Sequence, residues 1–507
     1  IYTLSLHDAL PILTKKRRVG YFMEKKDLKP AILFRYFEEI CQVPRPSKKE
    51  EKIRAYLVNF AETRGLEYKV DEAGNVLIVK PATPGKEHLK TVILQSHMDM
   101  VCEKNKDTEH DFEKDPIQTY VDGEWLKAKG TTLGADNGIG MAAELAVLAS
   151  DDVEHGPLQC LFTVDEETGL TGAFALKEGF MDGDILINLD SEDDGELFIG
   201  CAGGAGTTAV YPCPMVAAPE GYFFFRVAVK GLTGGHSGDD INKNRANANK
   251  LLNRYLMRLL NRGDLRLCEI DGGNLHNAIP REAYAVCAVP MSEKEAVRVE
   301  LNVFQAELEN EYAVTEPNLL LELESETARA EVMELEAMKR FLHSIYAVHH
   351  GVYAMSQDIP GLVETSSNLA SIKQRDGKIV VGTSQRSSIL SSRKDMSQMV
   401  RSAFILGGAE VTTGDGYPGW KPNPDSAILK VAAESYERLF GEKPKVKAIH
   451  AGLECGLFLE KYPSLDMVSF GPTLRGVHSP DERMLIPTVD KFWKHLLDVL
   501  AHIPAQA

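Results

Sequence analysis

Cysteine is sparse in this chain and badly spaced for cross-linking. The eight cysteines, at 41, 102, 160, 201, 213, 268, 287 and 455 of 507 residues, include no Cys-x-x-Cys pair. That scatter reads as the reduced thiols of a cytoplasmic protein rather than a disulfide framework. Long apolar runs are missing as well: none approaches the roughly 18–20 residues of a membrane-spanning helix. Nor is there an excess of positive charge, since 57 basic and 74 acidic residues leave a net charge of −17. Such a surface argues against nucleic acid or an anionic membrane as a partner. Two Gly-rich stretches, 130–138 and 200–206, lack both the Lys-Ser/Thr ending of a phosphate loop and a GxGxxG spacing after a strand. Nucleotide binding is thereby set aside.

What remains is an ordinary globular composition, 44% apolar and 26% charged, in a chain too long for one core. Residues 1–22 stand apart. Their apolar part precedes Lys15, Lys16, Arg17 and Arg18, the reverse of a secretory signal, and Met23 opens a credible start. The prefix is expected to be a non-native extension. From there, helical spacing marks residues 30–41 and 48–64, and short strand-like runs mark 67–70 and 76–79. Near-continuous apolar runs at 91–96, 158–164 and 184–189 have the character of strands covered on both faces, with helices at 138–148 and 173–178. The expected fold is α/β, with a mixed, largely parallel sheet between helices. The texture changes near residue 204, where alternating runs (223–229, 283–289, 318–324) and amphipathic helices (246–260, 293–311, 332–347) imply an inserted α+β domain of two lobes. The first pattern resumes beyond 400, with helices at 427–439 and 489–500 and strands at 446–449 and 466–470. The divisions are therefore 23–203 and 400–507 for one domain and 204–399 for the insertion.

Ligand-type residues cluster where the buried runs end. His97 and Asp99 follow 91–96, Glu166 and Glu167 follow 158–164, and Asp190 follows 184–189. Asp136 sits in Gly-Ala-Asp-Asn-Gly before a helix, and His478 in Val-His-Ser-Pro-Asp-Glu. Parallel sheets present functional groups beyond the carboxyl ends of their strands, so these residues are expected to meet in one crevice. Zinc accepts imidazole nitrogen and carboxylate oxygen. Two histidines (His97, His478) and three carboxylates (Asp136, Glu167, Asp190) would serve two ions if Asp136 bridges. In a continuing strand His97 and Asp99 share a face, and the carboxylate can hold the imidazole's other N–H. The side chains of Glu166 and Glu167 diverge. One can bind metal while the other takes a proton from a water whose pKa zinc lowers to about 7.

Longer stretches carry a resemblance. Gln95–Val101, Gly130–Gly138, Asp165–Gly169, Asn188–Glu192, Gly234–Gly238, Asn277–Ala283, His450–Gly456 and Val477–Glu482 resemble the aminoacyl-histidine dipeptidases of the peptidase D type. These belong to the co-catalytic zinc peptidases, with peptidase T and the aminoacylases. The likeness runs from about Met23 to the C-terminus with no departure at a ligand position. It implies a catalytic domain with an inserted lid, and two Zn²⁺, with Co²⁺ or Mn²⁺ as possible substitutes. His97, Asp136 and Asp190 would hold one ion; Asp136, Glu167 and His478 would hold the other. Glu166 would act as general base and then acid, and Asp99 would orient His97. The Asp136–Asn137 bond would be cis. The resemblance also brings His236 from the lid to the scissile carbonyl, with Asn277 and Arg386 as contacts for the substrate's backbone or carboxylate; His276, His349 and His350 are left as structural. The partner it implies is a small peptide, an Xaa-His or other dipeptide including β-alanyl-histidine, and a homodimer is possible. Two other functions use the same residues. One is deacylation of N-acyl amino acids; the other is a non-catalytic metal-binding protein on a peptidase scaffold, which would be expected to have lost the base or a ligand.

Overall fold

The structure is a computed structural model that describes residues 25–506; the reading of residues 1–22 lies outside them. Two sheets organise the chain. The first has eight strands in the order Glu67–Val70, Val76–Lys80, Leu158–Thr163, Val92–His97, Ile185–Asn188, Asp466–Ser469, Glu196–Cys201 and Lys445–Ile449. Its middle is parallel: Val92–His97 runs alongside both Leu158–Thr163 and Ile185–Asn188, and Asp466–Ser469 alongside Ile185–Asn188. Antiparallel pairs at Glu67–Val70, Val76–Lys80 and Glu196–Cys201 make the sheet mixed.

All six residues of Val92–His97 and of Leu158–Thr163 are buried, as expected of strands with helices on both faces. The Ala31–Cys41 helix turns Leu33, Phe34, Phe37 and Ile40 inward at helical spacing. It lies against the Ala135–Ala149 helix, whose residues from Asn137 to Leu148 are all buried. The Glu51–Arg64 helix stops at Gly65, where φ is +65°, the usual left-handed exit.

The second sheet is antiparallel throughout and runs Leu320–Ser325, Tyr222–Lys230, Ala283–Pro290, Arg266–Gly272, Val363–Arg375, Lys378–Ser387, Gly203–Pro212 and Glu410–Thr413, with Gly351–Met355 paired beside Val363–Arg375. Helices Ala248–Arg262 and Lys294–Glu311 cover one half, and Leu335–Ala347 and Leu390–Leu406 the other. The chain enters this sheet at Gly203 and leaves it after Thr413. Residue 400, placed at a domain border from sequence, is a fully buried valine inside the Leu390–Leu406 helix and belongs to the second core. The chain comes back through segment 407–419, which holds five glycines.

A small antiparallel sheet of Thr119–Asp122, Trp125–Ala128, Arg483–Leu485 and Leu474–Arg475 has no counterpart in the sequence reading. It clamps both ends of the loop that carries His478. All eight cysteines are free, seven of them buried. No helix among the described residues is long and apolar enough to cross a membrane.

Candidate metal centre and cleft

Every candidate ligand sits at the carboxyl-terminal edge of the first sheet or in a loop folded over it. His97 is the last residue of its strand, Glu166 and Glu167 begin a short helix after Leu158–Thr163, and Asp190 lies two residues past Ile185–Asn188. Asp136 projects from the first turn of the Ala135–Ala149 helix, where its backbone is non-helical and its bond to Asn137 is cis.

Their polar atoms form two triads that share Asp136. His97 Nε2 lies 3.0 Å from Asp136 Oδ1 and 3.4 Å from Asp190 Oδ1. His478 Nε2 lies 3.1 Å from Asp136 Oδ2 and 3.0 Å from Glu167 Oε2. Atoms bound about 2.0–2.2 Å from a tetrahedral ion stand roughly 3.3–3.6 Å apart; these contacts are at or slightly inside that spacing, and ligand atoms of His97, Asp136 and Glu167 all lie within 4.8 Å of one another. The second Glu167 oxygen is buried without a hydrogen-bond partner.

Charge says the same. Burial works against a charged His97, yet Asp190, Asp136 and Asp99 hold its pKa well above the usual imidazole range. Hydrogen bonds to Asp136 and Glu167 push His478 up to about 11 against its burial. Burial lifts Asp190 to about 7, Asp136 and Glu167 adding to the effect and His97 opposing it. Glu166 is raised well above the carboxylate range, first by burial and then by Asp190 and Glu167, with His97 pulling the other way. So many buried carboxylates call for positive charge. Protons drawn onto these groups are one answer, and divalent cations fit the same donors.

Asp99 is fully buried and accepts from four donors: His97 Nδ1 at 3.2 Å, Ser47 Oγ at 2.7 Å, and the backbone N–H groups of Glu166 and Glu167 at 3.0 and 3.2 Å. One carboxylate thus fixes the ring of His97 and the start of the helix bearing both glutamates. Arg45, enclosed between Pro44 and Pro46 and only 2% exposed, donates to the carbonyls of Met98, Asp99 and Gly134. Glu482 accepts from the backbone N–H groups of Leu133, Gly134, Ala135 and Asp136 at 2.7, 2.9, 2.8 and 3.3 Å. The buried Glu454 accepts from Gln95 Nε2 and Thr163 Oγ1 at 2.7 and 2.8 Å, joining the returning C-terminal segment to the two strands that end at the centre. Sequence reasoning gave Arg45, Glu454 and Glu482 no role. Glu482 had a signal, an acid four residues after His478 in the same motif; Arg45 had only its place between two prolines.

The centre forms one wall of a cleft of about 610 Å³ lined by Asp136, Glu166, Glu167, Asp190 and His478. His236 and Asn277, from the second sheet's side of the same chain, line it too. The N–H groups of Gly238 and Asp239 lie 3.4 and 3.2 Å from His236 Nδ1, and the Asp239 carboxylate lies 3.3 Å from the same nitrogen. Arg386 stands behind the cleft with Nη2 3.4 Å from His236 Nε2. His276 lines a neighbouring hollow of about 170 Å³ beside Arg386. His349 and His350 contact the backbone of Gly351 and Leu369 respectively.

Comparison with known proteins agrees over nearly the whole length. The chain is 45% identical to the cytosol non-specific dipeptidase of Escherichia coli over 483 residues, 95% of this chain and all of that one. The crystal structure of the aminoacylhistidine dipeptidase from Vibrio alginolyticus superposes with a TM-score of 0.88 at 46% identity, covering 96% of this chain and 99% of that one. The aminopeptidase PepT of Bacillus cereus shares the fold alone, at 16% identity and a TM-score of 0.55 over 94% of this chain and 99% of that one. The model of peptidase family M20/M25/M40 matches residues 93–502. By that match, and by its identity to the E. coli enzyme, the chain belongs to peptidase family M20/M25/M40.

Proposed function

We propose that the chain is a cytosolic dipeptidase that binds two divalent cations, zinc by preference, and hydrolyses Xaa-His and other dipeptides, β-alanyl-histidine among them. The observation that carries this reading is the pair of triads sharing Asp136, with Glu166 beside them in the same cleft. The dipeptidase names of two relatives at 45% and 46% identity support the substrate class.

In this reading His97, Asp136 and Asp190 would hold one cation, and Asp136, Glu167 and His478 would hold the other. Such ions, when bound, bring the pKa of water down toward about 7 and polarise a carbonyl. Glu166 takes the proton of the attacking water. As the C–N bond breaks, it hands that proton to the leaving nitrogen. Asp99 keeps His97 in one tautomer through Nδ1. His236 donates a ring N–H to the carbonyl oxygen as negative charge gathers there. Because His236 lines the cleft of its own chain, it serves that chain's own centre, whether or not two copies associate. The first sheet is the catalytic domain and the second the lid.

His236→Ala should lower kcat by on the order of 10²–10³, the usual cost of one oxyanion donor, with less change in KM; steady-state kinetics on one dipeptide reads this. The function itself is tested with the purified chain on an Xaa-His dipeptide, β-alanyl-histidine, a plain dipeptide and an N-acetyl amino acid, with and without chelator. Dipeptides should be cleaved and the N-acetyl compound spared, with activity lost on chelation and restored by Zn²⁺. Cleavage of the N-acetyl compound alone, or full activity in verified metal-free protein, would overturn the reading.

A further inference from the structure

Arg386 is only 7% exposed, and no carboxylate is in ion-pair contact with it among the described residues. A buried guanidinium without a counter-charge is costly unless an anion comes to it. Its Nε has no hydrogen-bond partner among the described residues, Nη2 faces His236, and Nη1 donates to the hydroxyl of Tyr417 at 3.1 Å.

Tyr417 is itself firmly held. It lies on the segment by which the chain returns from the second sheet to the first, and its backbone pairs with Gly204, N–H to carbonyl at 2.8 Å one way and 3.0 Å the other. Arg393 donates to the carbonyls of Gly204, Asp415 and Tyr417 and locks the two crossing strands together. The ring sits between two glycines, one from each side of the seam. A Cβ on Gly204, in the second sheet, or on Gly452, in the wall of the cleft, would come within 2.8 Å of it. Any larger residue at either place would displace the ring.

We propose that Tyr417 is a positioning residue that sets the enzyme's preference for a free C-terminal carboxylate by aiming Arg386 at it. This deepens the dipeptidase reading and rests on it. The hydroxyl fixes one end of the guanidinium fork and leaves the other beside His236, so carboxylate and scissile carbonyl are registered by adjacent side chains. Tyr417 touches neither substrate nor reacting atoms.

The test compares Tyr417→Phe with the unaltered protein on a dipeptide and on the same dipeptide with its C-terminus amidated. The unaltered protein should prefer the free acid. In Tyr417→Phe, kcat/KM for the acid should fall about tenfold through KM, the scale of one hydrogen bond to a charged group, while the amide is cleaved as before. The preference shrinks accordingly. A loss of packing would slow both substrates alike, and that result, an unchanged preference, or no preference in the unaltered protein would overturn the assignment. An unaltered protein that cleaves neither substrate would instead remove the dipeptidase reading beneath it.

Discussion

Glu166→Gln is expected to lower dipeptide turnover by about 10²–10⁴-fold, the range attributed to a positioned general acid–base, with cation content and fold unchanged. Glutamine fills the same volume and can still hydrogen-bond, but it cannot receive a proton from water and return it to nitrogen. Position favours Glu166 for the task over its neighbour. Both glutamates line the cleft and both backbones are fixed through Asp99, but Glu167 Oε2 is engaged with His478 at 3.0 Å, while the Glu166 side chain has no such partner among the described residues. The measurements are kcat on an Xaa-His dipeptide and metal content of the same sample. Near-normal turnover in a fully loaded variant would mean that another group moves the proton.

Glu482→Ala should lower stability by about 3–5 kcal/mol, because four buried backbone N–H groups lose their acceptor. The carboxylate is 2% exposed and accepts from four successive N–H groups of the turn that presents Asp136. The alanine variant leaves those donors buried and unpaired, each at a cost of about 1–3 kcal/mol before relaxation. Because the turn aims the carboxylate shared by both triads, cation affinity should fall as well, by about 10–100-fold as for other residues that support ligands. Denaturant unfolding of the metal-free protein and calorimetric titration with Zn²⁺ check the two effects separately. Glu482→Gln retains one acceptor oxygen and should fall between. If both variants bind and unfold like the parent, the four hydrogen bonds contribute nothing.

The ligand residues could be found in the sequence because chemistry and periodicity coincide there. His97, Glu166 and Asp190 each follow a run of buried apolar residues, and such a run ends at the sheet edge where a site can form. Tyr417 and Arg45 gave no comparable signal, since much of what they bond is backbone far away in sequence. The second sheet was partly hidden for a different reason. Val363–Arg375 buries Thr365, Ser366, Ser367 and Asn368 at 1% exposure or less, and Lys378–Ser387 buries Thr383, Gln385 and Ser387. Hydroxyl and amide groups there satisfy one another across strands, as in Thr207 to Gln385 at 2.8 Å and Thr365 to Ser387 at 2.9 Å. Strands cored by paired polar groups do not read as hydrophobic runs. The expected helix 332–347 begins instead at Leu335, after the Glu331–Met333 strand, whose apolar residues fit the helical spacing that follows.

The place of Asp466–Ser469, between Ile185–Asn188 and Glu196–Cys201, bears on biosynthesis. Ribosomes deliver chain at about 5–20 residues per second, and units contiguous in sequence fold first. The sheet spanning 203–413 is complete as soon as it emerges. The strands ahead of it, from Glu67 to Cys201, must wait, with an open gap between neighbouring strands, until residues 445–469 have been translated. A nascent polypeptide in that state exposes unpaired backbone and apolar surface for many seconds, which makes this half of the molecule the natural client of chaperones and the first casualty of premature termination.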